Sequence, residues 1–176
     1  MNKQAFLLIF LLNFSAYAES KVLAKNAHGF TIQIEETVSV DSKKAYQQFV
    51  NVGQWWNAEH SYFGKSENFS IQAKAGGCFC EIDGKRQVLH MTVSLVDPGK
   101  EIRMIGGLGP LQMMGVSGGM SWKFVSLGKN QSKIIHRYQV SGSIDGGLDS
   151  LAEIVDKVQQ RQLLALVSKL TSAHQN

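Results

Sequence analysis

One long helical period, at the far end of a chain that otherwise alternates every second residue, leaves few folds open. From Ser150 onward, Leu151, Ile154, Val155, Val158, Ala165, Leu166 and Leu170 recur at helical spacing, the mark of an amphipathic helix. Ser150-Leu-Ala-Glu153 has the form of a capping box. A helix of about 20 residues is therefore expected to close the chain. Its apolar stripe needs a sheet to cover it.

The strands come before it. Phe30 to Val40 alternates well enough for a first strand, after a polar lead-in. Asp41 and Ser42 then supply an N-cap, and Ala45, Tyr46, Phe49 and Val50 predict a short helix ending near Gly53. Gln54 to Ser70 reads as irregular. Further strands are expected over 77–82 and 86–96, joined by a turn at Asp83-Gly84, and over 101–105 after the Asp97-Pro98-Gly99 turn. In the second of these, Leu89, Met91, Val93 and Leu95 share one face, read as core, and Val88, His90, Thr92 and Ser94 share a wetter one. Gly106 to Gly119, "GGLGPLQMMGVSGG", is too glycine-rich for regular structure and too apolar for a solvent loop, and reads as a flap. Strands over 120–127 and 133–141 complete an α+β layout, with one long helix against a curved antiparallel sheet.

The chain begins with Lys3, the apolar run Ala5 to Leu12 and then Ala16-Tyr-Ala18, the form of a signal peptide cleaved after Ala18. Residues 1–18 are read as that signal and 19–176 as a single domain, which places the protein in the periplasm or outside the cell. The apolar run is far shorter than the roughly 20 residues that span a bilayer, so no stable membrane anchor is expected. Basic residues are spread along the chain without a Lys/Arg block, and no footprint for nucleic acid is present. Export makes Cys78 and Cys80 informative, since disulfides persist in oxidising compartments. In an extended strand the two point to one face, and a bridge between them needs a bent backbone. Two small apolar residues, two free thiols and a labile bridge all stay open.

These elements and their motifs resemble the SRPBCC (START/Bet v 1-like) superfamily, in the branch of the activator of Hsp90 ATPase homologues and the polyketide cyclase-like proteins. The resemblance rests on "TVSVDSKKAYQQFVNVGQWW" with His60, on Gly76, Gly77, Phe79 and Glu81 in "AGGCFCE", on "VLHMTVSLVDPGKEIRM", and on the terminal helix. It spans about Gly29 to Leu170. It implies a helix-grip fold, in which the sheet curls around the C-terminal helix and leaves a cavity for an apolar molecule. Export departs from the many cytoplasmic relatives, and Cys78-Phe-Cys80 departs from their usual residues.

The expected function is the holding of a lipid-like, polyketide-like or aromatic molecule, the small apolar partner, between sheet and helix. The expected lining is Trp56, Phe79, Met91, Met104, Trp122, Phe124, Tyr138, Val155 and Val158, with Glu81 and His136 as polar contacts. The alternatives are a cyclase or dehydratase, with Glu81 or His136 as acid/base and Tyr138 assisting, and an envelope protein-interaction module. Binding is favoured over catalysis. If Phe79 faces inward, so does Glu81, and burial is expected to raise its pKa. The opposite register turns Cys78, Cys80 and Ile82 inward instead. No cofactor or metal is expected, because His60, Glu81, His136 and the cysteines lack the spacing of a metal motif. Oligomeric state is not readable.

Overall fold

The computed structural model describes residues 19–172; the expected signal peptide lies outside the described residues. Eight strands form one curved antiparallel sheet in the order β1-β2-β8-β7-β6-β5-β4-β3. They are β1 (Glu19–Asn26), β2 (Gly29–Val38), β3 (Phe69–Ile71), β4 (Cys78–Asp83), β5 (Arg86–Asp97), β6 (Glu101–Ile105), β7 (Ser117–Gly128) and β8 (Gln131–Ser141). Helix α1 (Ser42–Val50) follows β2, and α2 (Ala152–Ser172) closes the chain. This is the helix-grip arrangement that the sequence led us to expect.

Local chemistry places each element. The Asp41 side chain accepts from the Lys44 N–H and opens α1, and Ala45, Tyr46 and Phe49 bury its inner face. In β7 and β8 the period-two pattern holds: Met120, Trp122 and Phe124, and Ile134, His136, Tyr138 and Val140, are all buried. Gly118 is required where β7 passes β8, because a Cβ there would stand 2.3 Å from the Gln139 carbonyl oxygen and 2.8 Å from the Tyr138 ring. The paired tryptophans divide their labour. Trp55 is 5% exposed, donates from Nε1 to the Phe49 carbonyl oxygen at 3.0 Å, and joins Phe49 and Trp122 in the core. Trp56 packs edge-on against Phe79 and tilted against Phe69.

Five expectations need correction. The polar lead-in forms a strand, β1, paired with β2 at the sheet edge; its inner face holds little apolar area, with Val22 only partly buried, so alternation barely shows. The flap is shorter than expected, because Ser117 to Gly119 already pair with β8. The capping box does not form: Ser150 Oγ donates to the Gly147 carbonyl oxygen, a single 3-10 turn at Leu148–Leu151 leads into α2, and Glu153 pairs with Lys25. The segment read as irregular, Gln54 to Ser70, holds two one-turn 3-10 helices, Ala58–His60 and Ser66–Asn68, and the start of β3.

The fifth correction, in β5, matters most for function. Met91 pairs with Phe79 and Leu89 with Cys80, so His90 is an extra residue in a β-bulge. His90 is therefore buried, at 3% exposure, beside buried Met91, while Leu89 turns out to solvent. A second irregularity, between Val93 and Leu95, sets Leu95 opposite exposed Arg103 and Val96 opposite buried Ile102. Of the four residues expected on the core face of β5, Met91 and Val93 remain there.

Candidate functional site

In the lower half of α2, Leu166 and Leu170 are buried as their spacing predicts, joined by Leu163, while Ala165 is half-buried. The upper half packs only in part: Leu151, Ile154, Val155 and Val158 line a cavity of about 360 Å³, Leu151 and Val155 touch the core from its rim, and Ile154 is 59% exposed. Opposite them the flap contributes Leu108, Pro110, Leu111 and Met114; the segment after α1 contributes Trp56, Glu59, His60, Ser61 and Tyr62; His90, Tyr138 and Gln159 complete the wall. A volume near 360 Å³ falls within the range of small-molecule sites.

The flap is held in place by its neighbours. Tyr138 Oη accepts from the Leu108 N–H at 3.1 Å and donates to the Gly106 carbonyl oxygen at 3.3 Å. Gln112 Nε2 donates to the carbonyl oxygens of Leu89 and His90, the two residues at the bulge. Burial pushes the Tyr138 phenol up to about 12. Tyr138 thus stays protonated and serves as a tether.

Glu81 is fully buried, which settles the register of β4: Phe79 and Glu81 point inward, and Cys78, Cys80 and Ile82 point out. The two cysteines are bridged, with Cα atoms 5.4 Å apart, closer than the roughly 6.6 Å of two residues in an extended strand. The bent backbone that such a bridge needs lies directly opposite the His90 bulge.

The Glu81 carboxylate is wrapped by donors. Ser61 Oγ gives to Oε1 at 2.5 Å, the Phe63 N–H to Oε1 at 2.9 Å, the Tyr62 N–H to Oε2 at 3.0 Å, and His90 Nε2 lies 3.3 Å from Oε2. Burial alone would raise its pKa, yet the four hydrogen bonds outweigh that and hold the carboxyl below the usual range. The expected upward shift is therefore reversed. Glu81 fastens the segment around Ser61 to the sheet.

Of the expected lining, Trp56, Tyr138, Val155 and Val158 border the cavity. Phe79, Met91, Met104, Trp122 and Phe124 are buried in the core, outside the cavity wall. His136 is also outside it. It stacks on Trp122, its Nδ1 lies 3.4 Å from the Ser121 carbonyl oxygen, and burial pushes it down to about 4. Gln159 faces it and favours the charged ring, but no hydrogen bond closes between them, and His136 Nε2 and Gln159 Oε1 are both left without a partner. The sequence reading missed His90, Gln159 and the flap leucines. Only the apolar character of the flap pointed towards any of them.

Among the described residues, no group of three or more His, Cys, Asp or Glu is placed to hold a metal ion. No described helix is long and apolar enough to cross a membrane.

No family model and no curated protein matches the chain. Solved structures do. Ara h 8.0201 superposes with a TM-score of 0.56 at 15% identity, covering 82% of this chain and 99% of that one. CalU16 from Micromonospora echinospora gives 0.56 at 8% identity, covering 87% and 82%. Mll3558 from Rhizobium loti gives 0.56 at 14% identity, covering 80% and 96%. At such identities the likeness establishes the fold and selects no branch within it: the chain has the Bet v 1-like helix-grip fold.

Proposed function

We propose that this protein carries a small, largely apolar molecule in the cavity between the flap and the upper half of α2, and that it does so as an exported protein. One observation carries the reading. Ile154 and Val158 of α2 present an apolar face to the cavity, beside Leu151 and Val155, which pack only in part against the core. Apolar area left facing the cavity forgoes part of the roughly 1.5 to 3 kcal/mol that full burial of a large apolar side chain supplies, and a ligand recovers it on binding. The fold supports the reading because it builds a grip around a helix, and the flap's tethers keep one wall of the cavity formed.

Native mass spectrometry of the protein isolated gently from its own cells tests the proposal. A reproducible extra mass that disappears on denaturation is the expected result and identifies the molecule. A clean apo mass, together with no uptake of apolar probes, overturns it.

A further inference from the structure

The cavity wall is apolar except at a few atoms, and one of these has its hydrogen-bonding role fixed by its surroundings. His90 reaches the cavity through the β5 bulge at 3% exposure. Its ring lies against Phe69, stacked at 5.2 Å and 19°, and between Phe79 at 5.3 Å and Tyr62 at 5.9 Å. These contacts leave the imidazole little freedom to turn.

Its two nitrogens are not equivalent. Nε2 faces the Glu81 carboxylate at 3.3 Å, and an ionised carboxylate accepts only. Glu81 is kept ionised by the Ser61 hydroxyl and the N–H groups of Tyr62 and Phe63. The proton of the neutral ring is therefore on Nε2, and Nδ1 presents a lone pair. Nδ1 is buried and has no hydrogen-bond partner in the protein. A buried acceptor left without a donor is costly, and Nδ1 is the ring nitrogen that the contact with Glu81 does not use.

We infer that His90 Nδ1 is the recognition point for a hydroxyl on the ligand, so that the cavity selects apolar molecules bearing a phenolic or alcoholic O–H over the same molecules without one. This rests on the carriage reading above and adds the ligand's chemistry to it. The Glu81 carboxylate acts as a positioning group, since it fixes the tautomer and never meets the ligand. His60, whose Nε2 is also buried without a partner on the same wall, has no such fixed tautomer and carries no selectivity here.

The test compares 2-naphthol with 2-methoxynaphthalene, which keeps the apolar body and lacks the donor. In the 15N-labelled wild-type protein, the His90 ring is expected to show the Nε2–H tautomer, and the Nδ1 resonance to move on adding 2-naphthol and to stay on adding the ether. 2-Naphthol is expected to bind at least tenfold more tightly, and His90→Phe to bring the two affinities within threefold. The wild-type spectra decide the matter even if that variant fails to fold. Equal affinities with an unmoved Nδ1, the opposite tautomer, or no binding of 2-naphthol each overturn the inference. Only an apo native mass without probe uptake reaches the carriage reading itself.

Discussion

His136 lies flat on Trp122, with ring centroids 4.0 Å apart and planes 20° from parallel, at zero solvent exposure. No charged side chain meets it: its neighbours are the indole, the Ser121 carbonyl and Gln159. Burial holds its pKa at about 4, below the ordinary value of 6.5. The unfolded chain therefore binds the extra proton between those two values, and stability rises with pH across that window. The contribution is complete above pH 6.5 and lost as pH falls through about 4; its size is on the order of 3 kcal/mol. Urea unfolding at pH 7.5 and 4.5 should show a smaller drop for His136→Phe than for wild type. Equal drops would refute the assignment.

Ser61→Ala removes the shortest of the four hydrogen bonds to Glu81. A bond to a buried charge contributes about 1.5 to 3 kcal/mol, so the unfolding free energy should fall by about 2 kcal/mol. The amides of Tyr62 and Phe63, which share the same carboxylate, should exchange faster with solvent. Because the Glu81 pKa is lowered on folding, the stability it supplies is present above about pH 4.3 and is lost as pH falls further. The cost of the substitution should therefore shrink in acid. A cost that persists unchanged at pH 2 would contradict this account.

Glu36 works in the opposite direction. It is 5% exposed on the inner face of β2, its Oε1 has no partner, and burial raises its pKa despite the Thr37 N–H that Oε2 accepts. An acid whose folded pKa is raised costs stability above that pKa and costs nothing below its unfolded value. Glu36→Gln is expected to stabilise the fold by about 1 kcal/mol at pH 7, with the gain fading in acid. A loss of stability at pH 7 would show that the carboxylate is needed.

Val158→Phe places a ring in the cavity from the helix side. The position faces the 360 Å³ space and not the packed core, so the stability change should stay within about 1 kcal/mol. Apolar probes should bind at least tenfold more weakly. Unchanged binding would place the ligand elsewhere, and calorimetric titration with 2-naphthol distinguishes the cases.

Most of the scaffold was legible because it rests on repetition. The alternation of Ile134, His136, Tyr138 and Val140, and the helical period of the last element, survive any packing the chain adopts. The cavity was harder to read, because its residues break the rules that made the scaffold readable. A period-two count through β5 sets His90 opposite to Met91 in direction, and only pairing with β4 reveals the surplus residue. The apolar residues of α2 announce a buried stripe, and nothing in their spacing separates Leu166, which meets the sheet, from Ile154, which does not. Edge strand β1 was missed for a third reason, since a strand with one partner and little inner apolar area carries almost no periodic signal.

The bulge in β5 also bears on how such a cavity changes over generations. Without His90, the pairs on either side of it, Phe79 with Met91 and Cys80 with Leu89, would follow one another in an unbroken ladder. His90 displaces no partner. A one-codon deletion there would leave the inward residues on either side in register and remove the cavity's fixed acceptor, so the binding chemistry can be lost by a change of length that leaves the sheet intact.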